Sequence, residues 1–272
     1  MLPADQDEPQ AKIATPWWSS FFGEDYLRLY APFLPAEKTA SEVAGLLALL
    51  GVPTGCSLLD LGCGPGRLSL PLTKRGYQVT GLDLSERYLQ QAQAESAFLG
   101  LQVRFVQGDM RQLPFKNEFH VVLNVFTSFG YFASEEEDVQ VLQHVSKALK
   151  PSGLFLLDTL YQPKVLRTFS PSGVFHYDDG LVVLEERRID LLTSRYEVHI
   201  TLLHTDGHRT EYQQSIRLYT LTELARLLSR VGLELRAFYG SLDGSALSME
   251  SRLVVVAQKG EGSGLPMPEG EP

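Results

Sequence analysis

An α/β fold with a mostly parallel central sheet is what this sequence predicts, and three observations carry the prediction. Residues 57–85 read as a strand, a glycine turn, a helix and a second strand. Short apolar runs then keep alternating with helical patterns as far as Asp158, the order that places helices on both faces of a parallel sheet. Past residue 174 the rhythm breaks into hairpin turns, which marks an inserted antiparallel β-meander.

The first unit says most. Ser57, Leu58, Leu59, Asp60 and Leu61 form a short apolar run, and Gly62, Cys63, Gly64, Pro65 and Gly66 follow with no side chain large enough to hold a ligand off the backbone. Residues 67–75 have a helical pattern with Gly76 as the stop, and residues 77–82 give a strand that ends at Asp83. A dinucleotide fingerprint, Gly-x-Gly-x-x-Gly, would put its third glycine where Arg67 stands. Pro65 also removes a backbone donor that a pyrophosphate would use. A ligand without a phosphate suits this turn better. Asp83 lies about twenty residues past the turn, the offset at which a carboxylate accepts from both hydroxyls of a ribose. Asp60 adds a second acid facing the turn and favours a cationic ligand.

On these residues the chain resembles the class I S-adenosylmethionine-dependent methyltransferases. Their first motif is an acid, a Gly-x-Gly-x-Gly turn and a ribose-binding acid, matched by Asp60, Gly62, Gly64, Gly66 and Asp83. The resemblance covers residues 17–259 and is strongest over 57–158. It implies a Rossmann-like, seven-stranded sheet with one antiparallel strand near its edge, and S-adenosyl-L-methionine as cofactor. It also implies further cofactor contacts at Cys63, Leu84, Asn124 and Phe126. By the same resemblance Tyr26, on an N-terminal aromatic helix, reaches the methionine carboxylate. Asp109 offers a carboxylate to the adenine amino group, and Met110 packs on the adenine face.

Composition sets the limits. With 272 residues, 44% of them hydrophobic, the chain can bury one core and an appended subdomain. The expected organisation is an unstructured start at 1–14, lid helices and cofactor-binding core at 15–173, the meander at 174–219 on the substrate side, the rest of the core at 220–259 and an unstructured tail at 260–272. No apolar run reaches the length of a membrane span and no export signal opens the chain, so a cytoplasmic protein without a membrane partner is expected. The net charge of -9 opposes nucleic acid as a partner. Cys56 and Cys63 do not make a disulfide framework, and no spacing suggests a metal site. The oligomeric state stays open, with a homodimer through the meander among the options.

The loop after the fourth strand, residues 125–132, should border the reacting centre, because ligands of open α/β sheets lie beyond the carboxyl ends of the strands. It lacks the prolines that family members acting on exocyclic base amines carry there. It is similar instead to the loop of small-molecule N-methyltransferases, including those acting on amino sugars, where a histidine can stand in the place of Tyr131. Phe126, Phe129, Tyr131, Trp17 and Trp18 form the expected apolar wall. An amine attacks unprotonated, which makes a base useful: Tyr131 is the first candidate and His176 the second. The expected activity is methyl transfer to a small-molecule acceptor, at nitrogen in preference to oxygen. The alternatives are a non-catalytic cofactor-binding regulator, an RNA methyltransferase and, more distantly, a nicotinamide oxidoreductase.

Overall fold

The computed structural model describes residues 16–261. The stretch 1–14 and all but the first two residues of 260–272, both expected to be unstructured, lie outside the described residues. Five strands come first: β1 (Ser57–Leu61), β2 (Gln78–Asp83), β3 (Arg104–Gln107), β4 (Phe119–Asn124) and β5 (Leu149–Thr159). β6 (Ser172–His176), β7 (Val182–Asp190), β8 (Arg195–Leu203) and β9 (Arg209–Arg217) make a separate four-stranded antiparallel sheet in sequence order. β10 (Leu233–Tyr239) and β11 (Leu253–Lys259) then return to the first sheet, whose order is β10-β11-β5-β4-β1-β2-β3. β11 runs antiparallel to both its neighbours, the expected single reversal next to one edge.

Burial on both faces explains the near-continuous apolar strands. Leu58, Val121, Leu123, Val254 and Val256 face helix α3 (Ala36–Leu50) through Val43, Leu46 and Leu50. Leu59, Val122, Phe155, Leu157 and Val255 point the other way, toward α6 (Glu135–Ala148) and α8 (Leu221–Arg230). Successive residues of a strand thus feed opposite cores, as the pleat requires. Helix starts follow their caps. The Ser85 hydroxyl accepts from Tyr88 N at the head of α5 (Glu86–Phe98), and Ser134 with Glu137 and Thr220 with Glu223 form capping boxes.

A third cluster joins the chain's beginning to the meander. Phe21 of α1 (Trp18–Phe21) and Leu29 of α2 (Glu24–Tyr30) pack on Val183, Val198, Ile200 and Leu202, one inward face of β7 and β8. The N-terminal aromatics therefore do more than cap the main core. They fill the space between it and the second sheet.

Two local features depart from expectation. β5 begins at Leu149, ahead of the expected turn at 150–153, and the irregular pairing with β4 between Phe119 and Val121 absorbs the difference. Ser152 takes a left-handed φ of 61° there, a conformation that glycine adopts more easily. A short helix, α7 (Gln162–Arg167), also stands where no helix was expected.

Candidate active site

The turn after β1 is a backbone structure first. Gly62, Gly64 and Gly66 all have positive φ, at 77°, 55° and 86°, which side chains oppose. Its amides are already used within the protein: Gly62 N and Cys63 N donate to Leu82 O at 2.8 and 3.0 Å, and Gly66 N donates to Cys63 O at 3.1 Å. Gly64 N donates to Asp83 Oδ2 at 2.8 Å. With Pro65 lacking an N–H, the turn keeps no amide for a pyrophosphate. A methyl placed on Gly64 would meet nothing within 4 Å, so its Cα faces open space.

Asp83 is anchored and still available. Its Oδ1 accepts from Ser85 N at 2.8 Å, so each carboxylate oxygen has one backbone donor and a lone pair to spare. Burial raises its pKa against the pull of these amides. Asp60 is buried and accepts from Ser69 Oγ at 2.6 Å, and desolvation pushes it up to about 6. Asp109 caps the short turn of helix at Met110–Gln112 by accepting from Arg111 N at 2.8 Å. Burial alone would raise it, but the Arg111 guanidinium at 2.6 Å wins and its pKa is lowered.

The loop after β4 is held in a strained shape. Phe126 and Thr127 have φ of 65° and 66°, uncommon for residues with side chains. Asp158 at the end of β5 holds them: its Oδ2 accepts from Phe126 N and its backbone O from Thr127 N, both at 3.0 Å. Arg252 completes the clamp, with Nε on Asp158 Oδ1 at 2.6 Å and Nη2 on Thr127 Oγ1 at 2.7 Å. Arg67, fixed to Glu42, and Arg252 lie 5.5 and 5.7 Å from the centre of the Phe126 ring.

Three cavities border this loop, and two of them share an aromatic wall. The larger, about 550 Å³, lies over the turn and is lined by Tyr26, Asp60, Gly62, Cys63, Gly64, Asp83, Leu84, Asp109, Met110, Phe126 and Tyr131, all expected site residues. The smaller, about 240 Å³, lies between α1, α2 and the meander and shares Phe22, Tyr26, Tyr30, Phe126 and Tyr131 with the first. Two expected site residues lie elsewhere. Asn124 is buried behind the loop, its Nδ2 donating to Leu61 O and Ser128 O, so it braces the site without lining it. His176 is exposed on β6 and lines neither cavity, because strand alternation and the edge position turn it away.

Residues 58–153 match the family model described as a methyltransferase domain. The chain is an S-adenosylmethionine-dependent methyltransferase. Among its relatives, the cypemycin N-terminal methyltransferase of a Streptomyces species is 29% identical over 74% of this chain and 82% of its own length. The dTDP-3-amino-3,4,6-trideoxy-alpha-D-glucopyranose N,N-dimethyltransferase of Streptomyces venezuelae is 27% identical, covering 76% and 87%. A solved S-adenosylmethionine-dependent methyltransferase from Clostridium acetobutylicum shares the fold with a TM-score of 0.75 at 18% identity, over 89% of this chain and 99% of that one.

The methyltransferase's residues fit that cofactor. The larger cavity has the volume of a small-molecule site, an anchored acid with free lone pairs on one wall and an open glycine face on another. Among the described residues Tyr26 Oη makes no hydrogen bond, and burial raises its pKa, which keeps it a donor suited to a carboxylate. Burial likewise raises the Tyr131 phenol, with the charge of Tyr30 adding to it. A phenol raised in this way is a poorer base than the expected one and a better hydrogen-bond donor. Sequence reasoning missed Asp158 and Arg252. Their signal was positional, since Asp158 ends a central strand at the ligand-bearing edge of the sheet.

Proposed function

We propose that the methyltransferase acts on a nitrogen of a small molecule seated in the smaller cavity. One observation carries this reading: the smaller cavity opens against the cofactor cavity through a shared wall of five aromatic side chains and has room for a small acceptor. Two of its relatives support nitrogen, one named an N-terminal methyltransferase and the other an N,N-dimethyltransferase.

Bound S-adenosylmethionine supplies a methyl group on a positively charged sulfur, and the protein's task is alignment and exclusion of water. In this reading Asp83 holds the ribose hydroxyls, Asp109 and Met110 the adenine, and Tyr26 the methionine carboxylate. The Gly62–Gly66 turn lets the ligand approach the backbone. Phe126, fixed by Asp158 and Arg252, sets the wall between the cavities. Tyr131 donates to or orders the acceptor. No buried base is assigned, and the acceptor amine loses its proton to solvent before it is enclosed.

The test is S-adenosylhomocysteine release by purified protein across matched panels of small amines, amino sugars, phenols and short RNAs, with Asp83→Ala as control. Turnover confined to amines is the expected result. Turnover of phenols or RNA alone overturns it, and cofactor binding with no turnover on any panel favours the regulatory alternative.

A further inference from the structure

The smaller cavity is uneven in charge. Glu185 and Arg252 are the charged groups among the described residues that line it. Arg252 is committed, with Asp158 taking Nε at 2.6 Å and Thr127 taking Nη2 at 2.7 Å. Glu185 is only half committed. Its Oε2 accepts from Arg187 Nε at 2.8 Å and meets Nη2 at 2.5 Å, while Oε1 accepts no hydrogen bond among the described residues.

The position makes that free oxygen informative. Glu185 sits two residues from buried Val183 on β7, and so on the inward face, directly across from buried Ile200 of β8. Its side chain keeps only 25% of its exposure. A carboxylate withdrawn into apolar surroundings is costly unless a partner completes it. Around it the cavity wall is mostly rings, including Tyr26, Tyr30, Phe126, Tyr131 and Tyr196. Ring faces attract a cation, as does a carboxylate, and neither favours an anion.

We infer that Glu185 is the counter-ion for an ammonium group that the acceptor carries apart from the nitrogen to be methylated, and that the smaller cavity takes a small cationic compound carrying no phosphate. This rests on the amine reading above and narrows it. A nucleoside-diphosphate acceptor, of the kind in the name of the Streptomyces venezuelae relative, needs a free cation for its phosphates. Among the described residues this cavity offers none, because Asp158 neutralises Arg252. A methylated amine is itself an ammonium at neutral pH, so the same carboxylate suits the product.

The test measures binding and needs no turnover. Protein loaded with S-adenosylhomocysteine is titrated with choline, its neutral isostere 3,3-dimethylbutan-1-ol, and phosphocholine. Choline should bind about ten-fold more tightly than the isostere, and phosphocholine no better than the isostere. Glu185→Gln should abolish the preference and Glu185→Asp should retain part of it, with S-adenosylhomocysteine affinity held within about two-fold in both. Equal or undetectable binding of choline and isostere to the unaltered protein overturns the inference, as does a preference that survives Glu185→Gln. Should that variant not fold, Glu185→Asp and the unaltered protein still decide. Turnover separates the two claims. If Glu185→Gln methylates amines as fast as the unaltered protein, the counter-ion fails while the amine reading stands. If the cation preference holds but no amine is methylated, the amine reading fails alone.

Discussion

The two cavities that meet at Phe126 and Tyr131 are made of different material. The larger is a backbone structure: three left-handed glycines, amides tied to Leu82 and Asp83, and acids at strand ends. The smaller is a side-chain structure, walled by rings from α1, α2 and the inward face of the meander. Changing the first means changing the main sheet. Changing the second means exchanging side chains on a sheet that pairs only with itself. A cofactor shared by a whole family belongs in the first kind of site, and an acceptor particular to one protein belongs in the second.

The sharpest way to break that division is at the clamp between the halves. Asp158→Ala leaves Phe126 N and the Arg252 guanidinium without their carboxylate, and a half-removed buried pair of this kind costs about 3 kcal/mol. Chemical denaturation should show the loss, and Asp158→Asn, which keeps one acceptor, should recover part of it.

A comparable effect is expected from Asp138 on α6, whose Oδ2 accepts from Tyr219 Oη at 2.6 Å. Burial raises its pKa from 3.8 to about 7. The folded state therefore holds a proton that the unfolded chain releases. Asp138's contribution to stability is fully present below pH 4 and is lost as pH rises through about 7. The whole span is on the order of 4 kcal/mol. In Asp138→Asn the stability curve between these limits should flatten, and an unchanged slope removes Asp138 from that role.

Tyr131→Phe should do least. A phenol that keeps its proton serves as donor or packing, so turnover should fall by about ten-fold or less, with an unshifted pH profile. A loss of about a thousand-fold with a displaced basic limb would restore Tyr131 as the base.

The contrast also explains what could be read from the chain alone. The turn glycines and Asp83 lie within one continuous stretch, and each is dictated by local geometry, so the shape of the turn was legible. The meander was legible too, from Asp179-Gly180 and Asp206-Gly207 at its hairpin tips and the alternation between them. Asp158 and Arg252 were not, because their partnership spans 94 residues and only the folded sheet sets β11 beside β5. Glu185 was hidden for the same reason. Its neighbours across the cavity, Tyr26, Tyr30 and Tyr131, come from much earlier in the chain. His176 shows the converse error: its place in the chain was right for a substrate-facing residue, but strand alternation turned it outward.

The most direct measurement of the division is S-adenosylhomocysteine binding by calorimetry to the unaltered protein, Asp83→Ala and Glu185→Gln. Asp83→Ala should weaken binding by roughly 1.5–3 kcal/mol for each ribose hydrogen bond lost, while Glu185→Gln leaves affinity within about two-fold. Unchanged affinity in Asp83→Ala, or an equal loss in both variants, would contradict the assignment of one cavity to the cofactor and the other to the acceptor.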